Sequence, residues 1–382
     1  MNSNNILYIH HNSEDIGGAD FCLFKMVREM EKTGFNCSVL LATPSPIYDL
    51  YIKHHFKVTL ALAKPHNKSG FGFILNIFRQ LKEIFYIFRY IKRNRIRIVH
   101  SNDLLDLTSN IAARLAGIKS CQHVRTILNS AKFFPGLICR VAHWNTDRLF
   151  CVSHAVQQHM FPYDSGKCRV LYDWHDFKAV GHDVEKIDLK THLNLPENIR
   201  LVGWIGRSVY WKGQHLFLDA IPTVIKSGAN VHFILVTGKQ FNDKPYNRQL
   251  DLEYEKETIK PHLSILGYRQ DIASIMDQLD VVVNSSITPD PFPGVVLEAL
   301  HCEKVVVAPR AGGVKEQIID RETGFLFQAG DSNDLSEKIL LALQSLEEQK
   351  KPIGQRAKAD VARRFSKQKL SNDLTINYYA LM

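Results

Sequence analysis

The chain has 382 residues, 45% of them hydrophobic and 23% charged. That balance is ordinary for a soluble globular protein and excludes a mainly disordered chain, a collagen-like fibre and a bundle of membrane spans; the length suggests two domains. Lys plus Arg outnumber Asp plus Glu by 48 to 39, a net charge of +9, so nucleic acid, a membrane surface and an anionic substrate all stand as candidate partners.

Short apolar runs rich in β-branched residues alternate with longer helix-like stretches. The strands expected in chain order are Ile6–His10, Cys37–Leu41, Ile96–His100, Cys121–Arg125 and Leu149–Ser153 in the first half. In the second half they are Leu201–Ile205, Val231–Val236, Leu263–Leu266, Val281–Asn284 and Val305–Ala308. Between them lie helices expected at Phe21–Lys32, Ile74–Lys92, Leu104–Ala116 and Gln214–Ser227, the last kinked or shortened by Pro222. Strands apolar without alternation are buried on both faces. Separated by helices, they imply parallel βαβ units, hence two α/β halves, each a doubly wound sheet. The polar stretch Tyr172–Arg200 marks the boundary, and Ala357–Met382 reads as one or two terminal helices.

Charge divides along the same line. Residues 1–180 hold 23 Lys/Arg and 13 Asp/Glu, so the whole basic excess lies in the first half. Seven scattered cysteines with no C-x-x-C argue against a disulfide framework or a structural zinc site, and point to reduced thiols in a cytosolic protein. No signal peptide is evident at the N-terminus and no run of about 18 apolar residues occurs, so no spanning helix is expected.

In an open α/β sheet, ligands bind beyond the carboxyl ends of the strands, and four post-strand loops carry chemistry. After the first strand, His11–Asp20 contains Gly17-Gly18 before a helix, an arrangement that can present backbone amides to an anion. After Leu201–Ile205 comes Gly206-Arg207-Ser208-Val209-Tyr210-Trp211-Lys212-Gly213, where Arg can grip two phosphate oxygens and Lys adds a point charge. Pro289–Leu300 places Asp290 before, and Glu298 inside, an expected helix, so both carboxylates can reach one site and accept hydrogen bonds from hydroxyls. Finally, Arg310-Ala311-Gly312-Gly313-Val314-Lys315-Glu316 repeats the strand, Gly-Gly, helix order.

In chain order GGAD, GRSVYWKGQ, the Asp290-x7-Glu298 segment and AGGVKE together resemble the family-4 retaining glycosyltransferases of the GT-B fold. LGYRQDI at 266–272 and FCVS at 150–153 are similar to further segments of that family. The resemblance spans about residues 5–380. It implies two Rossmann-like domains facing each other across a cleft, with an acceptor-side domain over 1–175 completed by helix 366–382 and a donor-binding domain over 176–365. Arg207 and Lys212 would then hold the donor diphosphate, Glu298 the ribose, and Asp290 the donor sugar, approached also by the backbone of Gly294 and Val295. Gly17 and Gly18 would lie near the diphosphate and acceptor, and His123 near the reacting sugar. Two departures touch the sugar contacts: Asp290 is one methylene shorter than the usual Glu, and Pro293 stands where Gly is common.

The reaction implied is transfer of a sugar from a nucleotide-diphosphate donor to a glycan or lipid-linked acceptor, with retention, in bacterial surface polysaccharide or lipopolysaccharide assembly. A nucleotide-sugar epimerase of the same fold and a non-catalytic GT-B binding protein are the alternatives. No D-x-D and no His/Cys ligand cluster is evident, so no cofactor and no metal is expected, with cationic side chains offsetting the diphosphate charge. No nucleic-acid motif accompanies the basic charge. Residues 71–97 combine seven Lys/Arg against Glu83 with an aromatic apolar stripe, as expected either of a core helix or of a surface that lies on anionic lipid. The expected location is cytoplasmic, peripheral at the inner face of the cell membrane.

Overall fold

The structure is a computed structural model that describes residues 4–12, 17–61, 70–104, 106–128, 135–164, 166–174, 187–238, 244–347 and 352–382. The chain divides into two compact units, Met1–Trp174 with Lys367–Met382, and His175–Ser366.

In the first unit the elements run β1 (Asn5–His10), α1 (Gly18–Lys32), β2 (Asn36–Leu41), α2 (Pro46–Lys53), β3 (Lys57–Leu60), α3 (Gly70–Arg93), β4 (Ile98–Ser101) and α4 (Thr108–Ala116). They continue with β5 (Lys119–Val124), α5 (Pro135–Asn145), β6 (Arg148–Cys151), α6 (His154–Met160) and β7 (Cys168–Val170). The strands form one parallel sheet in the order β3-β2-β1-β4-β5-β6-β7. The chain reverses its direction of travel between β1 and β4, the switch point where such sheets open a crevice. Ile6 and Tyr8 of β1 pack into one core and Leu7 and Ile9 into another on the opposite face. Burial on both faces is why this strand reads as an unbroken apolar run.

The second unit contains α7 (Leu189–His192), β8 (Arg200–Ile205), α8 (Gln214–Lys226), β9 (Val231–Val236), α9 (Lys244–Tyr254), β10 (Leu263–Ile265), α10 (Ile272–Gln278) and β11 (Val281–Val283). It ends with α11 (Gly294–His301), β12 (Val305–Pro309), α12 (Val314–Gln317), β13 (Phe325–Phe327), α13 (Ser332–Ser345) and α14 (Ile353–Arg364). Its parallel sheet has the order β10-β9-β8-β11-β12-β13, with the switch point between β8 and β11.

Helix α15 (Lys367–Leu381) returns to the first unit, where Leu370, Leu374 and Tyr378 join the core beside Tyr8. Their spacing of four puts all three on one helical face. The Tyr378 hydroxyl lies 3.0 Å from the Tyr8 hydroxyl and 2.5 Å from Nδ1 of His100, so the buried polar ends are paired. Burying each such side chain stabilises the fold by roughly 1.5–3 kcal/mol, which ties the distant C-terminus to this unit.

Helix α8 keeps nearly its expected span and α4 does not. Pro222 does not shorten α8, which continues to Lys226 with Pro222 inside it. The proline removes one intrahelical bond, but Phe217, Leu218, Ile221 and Val224 are buried in the unit's core and hold the helix in place. Helix α4 starts at Thr108 rather than Leu104. Asp106 stops it by accepting the Ser109 N–H at 3.0 Å and the Thr108 hydroxyl at 2.9 Å, a local cap that competes with an earlier helical start.

Candidate functional site

In the second unit, the loops after β8, β11 and β12 are tied to one another at the switch point. The first loop ends in a 3-10 turn, Tyr210–Lys212, and then Gly213 at φ +70. A Cβ there would sit 1.9 Å from the Ser285 carbonyl oxygen, so only glycine allows this approach. The Ser285 hydroxyl donates to the Gly213 carbonyl at 2.7 Å and accepts from the Trp204 indole at 2.9 Å, while the Ile287 N–H donates to the Trp211 carbonyl at 2.9 Å. On the other side, the Gly313 N–H donates to the Asp290 carbonyl at 2.9 Å. Gly312, at φ +57, leaves no room for a Cβ, which would lie 2.2 Å from that same oxygen. The Gln317 amide donates to the Pro293 carbonyl at 3.1 Å. The Gly-Gly of the fourth loop therefore serves to seat the Asp290 loop against its neighbour.

This lacing brings Lys212 to Asp290. Nζ and Oδ2 are 2.6 Å apart, with side-chain exposures of 17% and 8%, and the ammonium lies 4.3 Å from the Trp211 ring centroid. Arg207 is exposed at the start of the same loop. Gly294 and Val295 open α11, each half-buried, and their N–H groups belong to the first turn, which has no acceptors within the helix. Glu298, also half-buried, follows one turn later in α11. A cation held in place, an adjacent carboxylate and a helix N-terminus at one sheet edge can together receive an anionic, hydroxyl-bearing ligand.

A cavity of about 520 Å³ lies at the carboxyl ends of β8, β9 and β10, lined among others by Ser208, Thr237, Gly238, Asn247, Gly267 and Tyr268. This is the size range of small-molecule sites. Ser208 donates to the Asn247 side chain. The 266–272 segment pointed to one wall; Thr237 and Asn247, from β9's end and α9, carried no signal of their own in the sequence.

The first unit holds the remaining expected residues. Gly17 caps α1 in ordinary extended geometry, and its N–H donates to Asp20 Oδ2 at 2.7 Å. Gly18 is exposed, and a Cβ there would meet nothing within 4 Å, so neither φ nor packing within the chain requires glycine at 18. His123 lies in β5, wholly buried and stacked on His100 at 5.6 Å, and among the described residues its ring nitrogens have no partner within hydrogen-bond geometry. Burial, then Arg125 and His100, push its pKa well below 6.5, so the ring is neutral. In this state the ring is packed against His100 and Phe150.

The sequence reading missed a network at the carboxyl ends of β1 and β4. The His10 ring bridges Asp20 Oδ1 at 3.0 Å and Asp103 Oδ2 at 3.1 Å; the His11 ring lies 3.0 Å from Glu83 Oε1. Burial opposes protonation of His10, but its bonds to Asp103 and Asp20 prevail and raise its pKa to about 9. His11, likewise opposed by burial, is raised to about 11 through Asp103 and Glu83. Among the described residues, His11, Glu83 and Asp106 are the one group with metal-type atoms within 4.8 Å of one another. Those atoms already bond within the protein: Thr108 donates to Glu83 at 2.6 Å, and Asp106 caps α4.

Helix α3 buries Ile87 and Ile91 in the core while leaving Phe78, Leu81 and Phe85 between 55% and 60% exposed. No helix among the described residues is long and apolar enough to cross a membrane.

Comparison with known proteins matches residues 16–177 to the Glycosyltransferase Family 4 model and residues 185–360 to the Glycosyl transferases group 1 model. An uncharacterized glycosyltransferase of Methanocaldococcus jannaschii is 24% identical over 369 residues, covering 93% of this chain and 92% of the relative. The Escherichia coli UDP-Gal:alpha-D-GlcNAc-diphosphoundecaprenol alpha-1,3-galactosyltransferase is 25% identical over 272 residues, 67% of this chain and 69% of the relative. Among solved structures, Anabaena HepE in complex with UDP superposes with a TM-score of 0.83 at 24% identity, over 99% of this chain and all of the other. At that identity the likeness shows the fold, which is GT-B.

Proposed function

Because the chain belongs to the family-4, group 1 glycosyltransferases, we propose that it moves a sugar from a nucleotide-diphosphate donor to a glycan or lipid-linked acceptor with retention of anomeric configuration. The setting proposed is assembly of bacterial surface polysaccharide or lipopolysaccharide. One observation carries the reading: the Lys212–Asp290 pair, held by three interlaced loops at the β8/β11 switch point, stands beside the N-terminus of α11. Relatives support it. The E. coli galactosyltransferase is named for a lipid-linked acceptor, another is named for capsular polysaccharide biosynthesis in Staphylococcus aureus, and Anabaena HepE has been solved with UDP-glucose.

As the glycosyl bond breaks, negative charge accumulates on the departing diphosphate. Lys212, held by Asp290, and the amides of Gly294 and Val295 suit such charge, with Arg207 on the same loop as a further cation, and preorganised donors of this kind lower the barrier without reorganising. Asp290 holds the Lys212 ammonium in place and offers its carboxylate to donor-sugar hydroxyls. Glu298 is suited to accept from the ribose. The cavity lined by Ser208, Thr237 and Tyr268 would take the nucleoside, with Tyr268 available for stacking on a base. No metal is part of this reading, since the side-chain cations supply the positive charge. Gly17 and Gly18 would leave space for diphosphate and acceptor on the first unit.

The exposed aromatic and aliphatic side chains of α3, flanked by Lys82, Arg89, Lys92 and Arg93, suit peripheral contact with anionic lipid at the inner face of the membrane. Flotation with phosphatidylglycerol vesicles at low salt tests that contact: the protein should float, and loss of three apolar groups in Phe78→Ser/Leu81→Ser/Phe85→Ser should abolish it. The catalytic reading is tested by incubating the protein with UDP-, GDP- and ADP-sugars and following release of the nucleoside diphosphate. Release of one of them is expected; none from any donor contradicts the reading.

A further inference from the structure

The first unit carries a second built arrangement, at the switch point between β1 and β4. His10 ends β1, His11 follows it, and Asp103 follows β4, so all three lie where a doubly wound sheet opens to ligands. Asp103 Oδ2 is saturated: it accepts from the His10 ring at 3.1 Å and the His11 N–H at 2.8 Å, with the His11 ring 3.6 Å away. Its other oxygen, Oδ1, has no hydrogen-bond partner among the described residues, and the side chain is 29% exposed.

We propose that Asp103 is a substrate-binding residue, whose Oδ1 accepts a hydrogen bond from a hydroxyl of a neutral sugar, the acceptor end of the reaction proposed above. Two features favour a neutral polyol over a phosphate at this point. A carboxylate oxygen can only accept, and a sugar hydroxyl donates. The surrounding charge is also carboxylate-rich, since Asp20, Glu83, Asp103 and Asp106 face the two histidines. A phosphate brought here would meet like charge. The histidines act through Asp103 as positioning residues: with Oδ2 held by both the His10 ring and the His11 N–H, the carboxylate's rotation is restricted and Oδ1 is preset for its partner. The basic excess of this half of the chain then serves other contacts, such as the lipid surface, rather than the sugar itself.

The inference rests on the glycosyltransferase reading, and the experiment separates the two. Wild-type protein, saturated with whichever of UDP, GDP or ADP stabilises it most, is titrated with methyl α-glycosides of glucose, galactose, mannose and N-acetylglucosamine, and with glycerol 3-phosphate. At least one glycoside should bind, and Asp103→Asn should bind it about tenfold or more weakly, as for loss of a bond to a charged group, with nucleotide affinity unchanged. In the wild-type chain the ring ¹⁵N resonances of His10 and His11 should shift as the glycoside binds, a readout that does not depend on how the variant folds. Equal glycoside affinity in a folded Asp103→Asn, unmoved histidine resonances at saturation, or binding of glycerol 3-phosphate but no glycoside overturns the inference. Failure of every nucleoside diphosphate to bind overturns the glycosyltransferase reading instead, and this inference with it.

Discussion

Replacing Lys212 by alanine separates the chemical from the structural work of the Lys212–Asp290 pair. The two charged atoms are 2.6 Å apart, and the side chains are 17% and 8% exposed. Exposed pairs contribute about 0–1 kcal/mol, whereas breaking a buried pair costs about 3–5 kcal/mol because the remaining charge is left uncompensated. Partial exposure places Lys212→Ala between these limits, at roughly 2 kcal/mol of lost stability. Turnover should fall much further, by about a hundredfold or more, as for removal of one fixed donor to a developing negative charge. The double variant Lys212→Ala/Asp290→Asn removes the orphaned carboxylate. Its melting temperature should recover most of the loss, while turnover stays as low as in the single variant. The assay is release of nucleoside diphosphate alongside thermal unfolding of the same preparations. Turnover within about threefold of wild type in a folded Lys212→Ala would refute the charge-stabilising role; recovery of activity in the double variant would show that the pair acts only on the fold.

Other consequences are directly measurable. Gly312→Ala forces a Cβ to within 2.2 Å of the Asp290 carbonyl oxygen at a backbone φ of +57; it should weaken donor binding and lower the melting temperature, and unchanged values for both would show that the loop contact is dispensable. Tyr268→Ala, at the cavity wall, should weaken binding of the nucleoside diphosphate with little effect on stability, since Tyr268 is 63% exposed. His10 has a folded-state pKa raised to about 9, so its stabilising contribution is fully present below about pH 6.5 and is lost as pH rises through 9. The melting temperature of wild type should fall across that window, less steeply in His10→Gln; equal slopes would contradict the network. Incubation with EDTA should leave turnover unchanged if cationic side chains alone offset the diphosphate, and loss of activity restored by a divalent ion would contradict that account.

The sequence revealed the centre of each sheet better than its margins. β1, β9 and β12 are mostly apolar and buried because both faces are covered, and their runs stand out. The edge strands β3 and β7 were not anticipated: Lys57–Leu60 is partly exposed and Cys168–Val170 is three residues long, so neither needs a long apolar run. β13, at the other unit's edge, is buried but only three residues long, too short to stand out from the turn before it. Post-strand glycines and cations located the loops of the second unit, and the family resemblance supplied their order. The sequence did not reveal that Lys212 closes on Asp290, because 78 positions separate them and only the strand order β8-β11-β12 brings their loops together. His10, Asp20 and Asp103 stayed hidden for the same reason; the one local hint was a pair of histidines at a strand's carboxyl end. Glycine at 312 was legible as a loop residue, but its need, a carbonyl pressed against its α-carbon, appears only once the Asp290 loop is in place.

The most direct test of the account is calorimetric titration of wild type and Lys212→Ala with UDP, GDP and ADP. One nucleoside diphosphate should bind the wild-type chain, and bind Lys212→Ala about tenfold or more weakly, as expected when a charge-assisted contact to phosphate is lost. No binding by any of the three, or equal affinity for both proteins, would contradict the claim that this loop cluster receives the donor's diphosphate.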